Sequence, residues 1–267
     1  MWSETVLPAL MAAGAAKRVI VHHELKCFGI GESDCEQRLP DLVRRGREPS
    51  VGITVHRATI TLRVTAEGSS ASACRDAMEP TIETIRECLG PIVFGEGDEQ
   101  LHDSVLHELS RHNRTLVTIE WATAGILAGW LAAGTPATRR SFLRGMVYPN
   151  RDRGSGDDRL TPFDENSLCR MAEMHRTEAG SDYAIAVGPW LGQSQESIEV
   201  ESTKKVALGM EPPVAAASHL FIAISTADGT KSCKVPYRGH PDIIPERTAK
   251  KALDMLRMIL LGHHDVP

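Results

Sequence analysis

The sequence predicts an α/β protein in two parts, a small β-α-β-β-α unit followed by a larger layered domain. Three observations carry this. Runs of β-branched residues recur along the chain and are separated by Gly-, Pro- and Ser-containing turns. Between them lie segments with helical spacing, as at Leu101, Val105, Leu106 and Leu109. The 267 residues, 42% hydrophobic and 24% charged, suffice for one large or two modest globular domains.

The elements follow in order. Residues 1–16 contain an apolar stretch, Val6–Ala16, expected to form a short linker helix. The segment KRVIVHHELKCF (17–28) reads as a strand, and GIGES (29–33) makes a turn. Ser33 with Glu36 forms a capping-box pattern and predicts a helix from about Asp34 to Arg45. Residues 51–66 read as two strands with a turn near His56–Ala58. A helix capped within Ser69–Ser72 should end at Leu89-Gly90. These elements make a first domain over 17–97 and leave 98–267 for the second. There, Asp98–His112 reads as helix, and the β-branched run 115–119 leads through a turn into an Ala/Leu-rich helix to residue 132. Ser141–Tyr148 is a further strand, Asn150–Asp158 a loop and Glu165–Thr177 a helix. Strands are expected at 182–187, 219–225 and 231–237, with a closing helix over Pro245–Leu261 and an unassigned polar stretch at 192–200. Alternation of strands and helices argues for α/β/α layers.

Bulk properties exclude several classes. A net charge of -5 and 4% aromatic content oppose a nucleic-acid-binding surface. No apolar run reaches the roughly 20 residues of a membrane span, and the first residues carry Glu4 without Lys or Arg, unlike a secretory signal. The six cysteines form no C-x-x-C pair and read as reduced thiols of a cytoplasmic protein. His102, His107 and His112 recur every five residues, about 140° apart around a helix, so they do not converge on a metal. The adjacent pairs His22-His23 and His263-His264 make no metal site either. GIGES matches neither phosphate-loop pattern and reads as a tight turn. No metal or cofactor is expected.

The stretch TIEWATAG (118–125) is the candidate site. A strand turning into a helix through small residues directs helix amides at whatever the turn holds. Thr123 is the only hydroxyl between Glu120 and Gly125, and no Lys occurs from residue 27 to residue 203 to serve as its base. Trp121 either stacks on a ligand ring or plugs the turn.

Taken together, these segments resemble the CinA family (competence/damage-inducible protein A). Gly29-Ile30-Gly31-Glu32-Ser33, followed by Thr61-Leu62-Arg63-Val64-Thr65-Ala66, is similar to the family's KH-type middle domain. Leu89-Gly90 and Val93-Phe94-Gly95-Glu96 resemble its junction with the C-terminal domain, which the chain resembles from about Asp98. The resemblance implies a KH-type unit and a C-terminal domain associated with deamidation of nicotinamide mononucleotide (NMN). It also implies a homo-oligomer. Larger members carry an N-terminal molybdopterin-binding-like domain, and the sequence is expected to be either a short form without it or a fragment. The family reads A-E-S-x-T-G-G at the turn, with the Ser as nucleophile. Glu120, Thr123 and Gly125 match, while Trp121 replaces the Ser and Ala124 the first Gly. The following motif leaves Gly145, Tyr148 and Asn150 under a one-residue shift, with Pro149 for a Ser and Arg153 for the Lys. A Gly-rich loop shrinks to Gly188-Pro189-Trp190, and Gly239-His240-Pro241 lacks the family's Arg.

The departures fall on the chemistry and spare the frame. Three readings follow. The expected one is a CinA-type protein that has lost NMN deamidation and retains a role in binding a nucleotide-like molecule or a partner protein. The second is an active amidohydrolase with a substitute nucleophile such as Thr123. The third is a different enzyme built in the same pocket, drawing on Glu120, Thr123, Tyr148, Asp152 and Arg153, whose spacing names no reaction. The pocket candidates are Glu120, Trp121, Thr123, Ala124, Gly125, Tyr148, Asn150, Arg153, Gly188 and Pro189. Neither a nucleic acid nor a membrane is expected as partner.

Overall fold

The computed structural model describes residues 2–12, 18–39, 41–148, 163–191, 218–238 and 240–263. The chain divides into two compact units, Met1–Gln100 and Leu101–Pro267.

The N-terminal unit opens with a π-helical turn, Trp2–Val6, and helix α1, Leu7–Ala12. The rest of the expected linker helix lies outside the described residues. Strands β1 (Val19–Cys27), β2 (Ser50–His56), β3 (Thr59–Gly68) and β4 (Val93–Glu96) form an antiparallel sheet in the order β2-β3-β1-β4. Strand β4 is not among the elements expected from sequence. The β2–β3 hairpin turns through Arg57 and Ala58, both at positive φ (46° and 62°), as a tight two-residue hairpin requires.

Helix α2 spans Glu32–Arg38, not Asp34–Arg45. It starts from Gly31 without a side-chain cap, so the Ser33–Glu36 capping box does not form. Its early stop has a steric cause: Leu39 precedes Pro40 and is extended (φ -100°, ψ 102°), because the proline ring disfavours a helical residue before it. Helix α3 (Ala71–Leu89) matches expectation. Ser70 Oγ accepts from the Ala73 amide at 3.1 Å, and Gly90 ends the helix at positive φ. Its buried stripe, Cys74, Met78, Ile82, Ile85 and Leu89, packs with Leu25, Ile60, Leu62 and Val64 of the sheet.

The C-terminal unit contains a five-stranded mixed sheet in the order β6-β5-β7-β8-β9. Its strands are β5 (Leu116–Glu120), β6 (Phe142–Val147), β7 (Tyr183–Val187), β8 (His219–Thr226) and β9 (Gly229–Pro236). Strand β5 pairs in parallel with β6 and β7, and β8 runs antiparallel to both its neighbours. The helices are α4 (Leu101–Arg111), α5 (Ile126–Ala132), α6 (Glu165–Ala179) and α7 (Ile244–Leu260). Helix α6 packs on β7 and β8, while α7 packs on the same two strands and on α4 and α5. The mixed α/β class expected from sequence is observed, with both faces of β5 buried. The expected loop at 150–158 and the stretch 192–200 lie outside the described residues.

The start of the sheet is tied by Asp182. Its carboxylate accepts from the Thr115 amide (2.8 Å), the Thr115 hydroxyl (2.9 Å) and Arg114 Nη1 (2.7 Å). This aligns the entries of β5 and β7. Burial pushes the carboxyl's pKa up, but Arg114 and the two Thr115 donors outweigh that effect and hold it below the usual value. An unfolded Asp titrates near 3.9, so this stabilisation is complete above that pH and is lost as pH falls through the lower folded value. Asp182→Asn is expected to cost about 1–2 kcal/mol at neutral pH and to flatten the acid-side fall in urea midpoint between about pH 5 and pH 2. A parallel fall in variant and wild type would refute the assignment.

No disulfide joins any of the six cysteines, all of which lie among the described residues. Among the described residues no helix is long and apolar enough to cross a membrane, and no group of His, Cys, Asp and Glu could hold a metal ion. His102 of α4 stacks on Trp130 at 5.5 Å, while His107 of α4 and His112 just beyond it are exposed, so the three histidines do not converge.

Candidate functional site

The site forms where β5 ends. Side chains alternate along a strand. Val117, Ile119 and Trp121 therefore enter the cluster formed with α6, whereas Glu120 turns the opposite way to the start of α5.

Glu120 is fully buried. Its Oε2 accepts from the Thr123 hydroxyl at 2.7 Å and the Leu127 amide at 3.0 Å, and its Oε1 accepts from the Ala128 amide at 2.8 Å. The local sequence explains why a distant carboxylate is recruited. The N-cap of α5 is Gly125, which has no side chain to offer, so the first amides of the helix need another acceptor. The positive helix end also favours a negative group there. The helix amides that the sequence offered to a ligand are thus partly taken by the protein's own carboxylate.

Trp121 is 3% exposed. Its ring stacks on Tyr148 with centroids 4.6 Å apart and planes inclined by 12°, and meets Phe163 edge-on at 5.3 Å. Two backbone bonds fix this arrangement: the Trp121 amide donates to the Val187 carbonyl (3.0 Å), and the Tyr148 amide donates to the Glu120 carbonyl (2.8 Å). Room for three rings comes from small neighbours. Ala172, Ala184, Ala186 and Ala223 belong to the same cluster. Gly188 lies under Phe163: a Cβ there would stand 2.9 Å from the Phe163 ring. Trp121 is therefore core, and the alternative in which it faces a ligand is not what the geometry shows.

Thr123 is also fully buried and Ala124 is exposed. Ala124 (φ 50°) and Gly125 (φ 89°) carry the chain through the left-handed region, and only the second of them is a glycine. An L-residue there is strained by about 1–2 kcal/mol, and the exposed Ala124 methyl gains little packing in return. Ala124→Gly is expected to stabilise the unit by about 0.5–1 kcal/mol in urea unfolding. A destabilisation would show that the methyl packs.

The structure thus brings Glu120, Trp121, Thr123, Ala124, Gly125 and Tyr148 to one turn, with Gly188 and Pro189 buried on the adjacent strand end. Asn150, Asp152 and Arg153 lie outside the described residues, as do Pro149 and Gly239. Phe163 is a site residue that the sequence reading misses. Its signal is faint, a lone aromatic ahead of the Asp164 that caps α6.

An antiparallel four-stranded unit with a long helix, joined in sequence to a layered α/β unit whose inner strand β5 turns into a helix, defines a two-unit α/β protein. Residues 22–95 match the family described as the damage-inducible protein CinA KH domain. A CinA-like protein of Prochlorococcus marinus (strain MIT 9313) is 29% identical, over 98% of this chain and 59% of its own length. A putative competence-damage inducible protein of Clostridium botulinum (strain Loch Maree / Type A3) is 26% identical, over 89% of this chain and 56% of its own. The chain spans 59% and 56% of the length of these two relatives. A competence-damaged protein (CinA) superfamily structure from Klebsiella pneumoniae 700603 aligns over 61% of this chain and 96% of its own, at 20% identity and a TM-score of 0.45. Residues 22–95 thus match a CinA KH domain, and the chain as a whole is similar to CinA-like and competence-damage inducible proteins.

Proposed function

We propose that this chain is a CinA-family protein that no longer deamidates NMN and serves instead as a binding protein for a nucleotide-like small molecule. The observation that carries the reading is Trp121. It stands where the resembled motif has its nucleophilic Ser, and it is packed between Tyr148 and Phe163 with 3% of its surface exposed. A nucleophile turn needs a reactive atom that substrate can reach and a base beside it. The indole supplies neither. Glu120, the nearest carboxylate, already holds two helix amides and a hydroxyl. The expectations of a cytoplasmic location and a homo-oligomer stand with this proposal, supported by the resemblance and the thiol content.

One observation favours the second reading. Thr123 donates its hydroxyl to Glu120 at 2.7 Å, a nucleophile-to-base distance. Ammonia release from NMN separates the two. The first reading expects wild type, Thr123→Ala and the protein-free blank to be equal. The second expects release by the wild type that Thr123→Ala reduces by about two orders of magnitude or more.

A further inference from the structure

Trp121 is spent on the core, but a second aromatic pair at the same edge of the sheet is not. We propose that Trp190 and Tyr237 form a docking corner for a planar heteroaromatic ring, such as the base of a nucleoside. The inference rests on the binding half of the function proposed above and gives it a place and a chemistry.

The carboxyl ends of β5, β6, β7 and β9 share one edge with the start of β8. In open α/β sheets that edge is where ligands dock. Trp121, Tyr148, Phe163, Trp190, Phe221 and Tyr237 all gather there, in a chain that is only 4% aromatic. The first three pack on one another, and Phe221 joins their cluster. Trp190 and Tyr237 stand outside it. They contact each other edge to face, with centroids 4.9 Å apart and planes at 77°, and both are half-buried. Perpendicular rings make a corner. A flat ligand ring that stacks on one of them meets the other at its edge, and both contacts are favourable for aromatic systems.

The corner is held by backbone, so little ordering is required when a ring binds. Before Trp190, the Gly188 amide donates to the Phe221 carbonyl at 2.9 Å. After it, Leu191 and His219 exchange two bonds of 2.7 and 2.9 Å. The Tyr237 amide donates to the Ser218 carbonyl at 2.8 Å. Ser218 adds an independent sign. It is 4% exposed, and its hydroxyl has no hydrogen-bond partner among the described residues. A buried hydroxyl without a partner is costly, and this one belongs to the residue whose carbonyl holds the Tyr237 amide.

Calorimetric titration of the whole chain with adenosine, uridine, nicotinamide riboside and ribose 5-phosphate tests the proposal. At least one nucleoside should bind, and ribose 5-phosphate should not. Trp190→Ala and Tyr237→Ala should each weaken nucleoside binding by roughly tenfold or more, the usual loss when a stacking ring is removed. Trp190→Phe should retain most of the affinity, and Trp121→Phe should leave it unchanged. Binding of none of the three nucleosides would overturn the proposal. So would full affinity in both alanine variants, which would still leave a binding protein with its site elsewhere. Ammonia release, measured separately, judges the loss of chemistry whatever these titrations show.

Discussion

Replacing Glu120 by alanine is expected to destabilise the C-terminal unit by about 3–5 kcal/mol, measured by urea unfolding. The carboxylate is fully buried and accepts three hydrogen bonds, two of them from the first turn of α5. Removing it strands the Leu127 and Ala128 amides and the Thr123 hydroxyl without water to take them up. Bonds to a charged acceptor are worth about 1.5–3 kcal/mol each, and a stranded buried donor adds its own desolvation penalty. Glu120→Gln separates shape from chemistry. Its amide nitrogen must face one of the three donors, so a loss of about 2 kcal/mol is expected. Thr123→Ala removes one donor together with its need and should cost only about 1 kcal/mol. Equal stability of Glu120→Ala and wild type would mean that the carboxylate does not hold the turn.

Trp121→Ala is the second large effect, with an expected loss of about 3–5 kcal/mol. The substitution empties the space between Tyr148 and Phe163 and removes two ring contacts, each worth about 0.5–1.5 kcal/mol beyond area burial. For a unit of this size the melting temperature should fall by roughly 10 °C. Trp121→Phe keeps an aromatic ring in the slot and should retain about half of the lost stability. A melting temperature unmoved by Trp121→Ala would contradict the placement of this ring in the core.

The two substitutions act on opposite faces of one strand. Glu120 fixes the helix that follows, and Trp121 fixes the layer beneath α6. Together they close a turn that in outline resembles a nucleophile turn. The same two side chains fill the turn and hold it.

Much of this is legible in the sequence. The β-branched runs form strands, and Leu101, Val105, Leu106 and Leu109 form the buried stripe of α4, because period alone separates the two element types. Helix α2 departs from expectation because Pro40, whose ring acts on the residue before it, outweighs the capping-box pattern. Strand β4 escapes a sequence reading because four residues, Val93–Glu96, carry too little pattern to register as a strand. At the site, the direction of Trp121 cannot be read from its own neighbours in sequence. It is decided by residues far along the chain, Ala172, Ala184, Ala186, Gly188 and Ala223, whose smallness leaves a slot wide enough for an indole. The alternating alanines of Tyr183–Val187 are a usable signal: a central strand with small residues on one face must receive something large. The bond from Glu120 to amides seven and eight residues onward is also recoverable in part. A helix that starts at a glycine needs an acceptor for its first amides, and Glu120 is the only acidic residue near that turn in sequence.

A turn packed shut by its own side chains must shield Trp121 from solvent and from substrate. The decisive experiment uses a chain in which Trp2, Trp130 and Trp190 are changed to Phe, so that Trp121 alone emits. The structure predicts a blue-shifted emission that acrylamide hardly quenches and that NMN leaves unchanged. A red-shifted, readily quenched emission that NMN protects would mean an open pocket at Trp121, and the turn would not be closed.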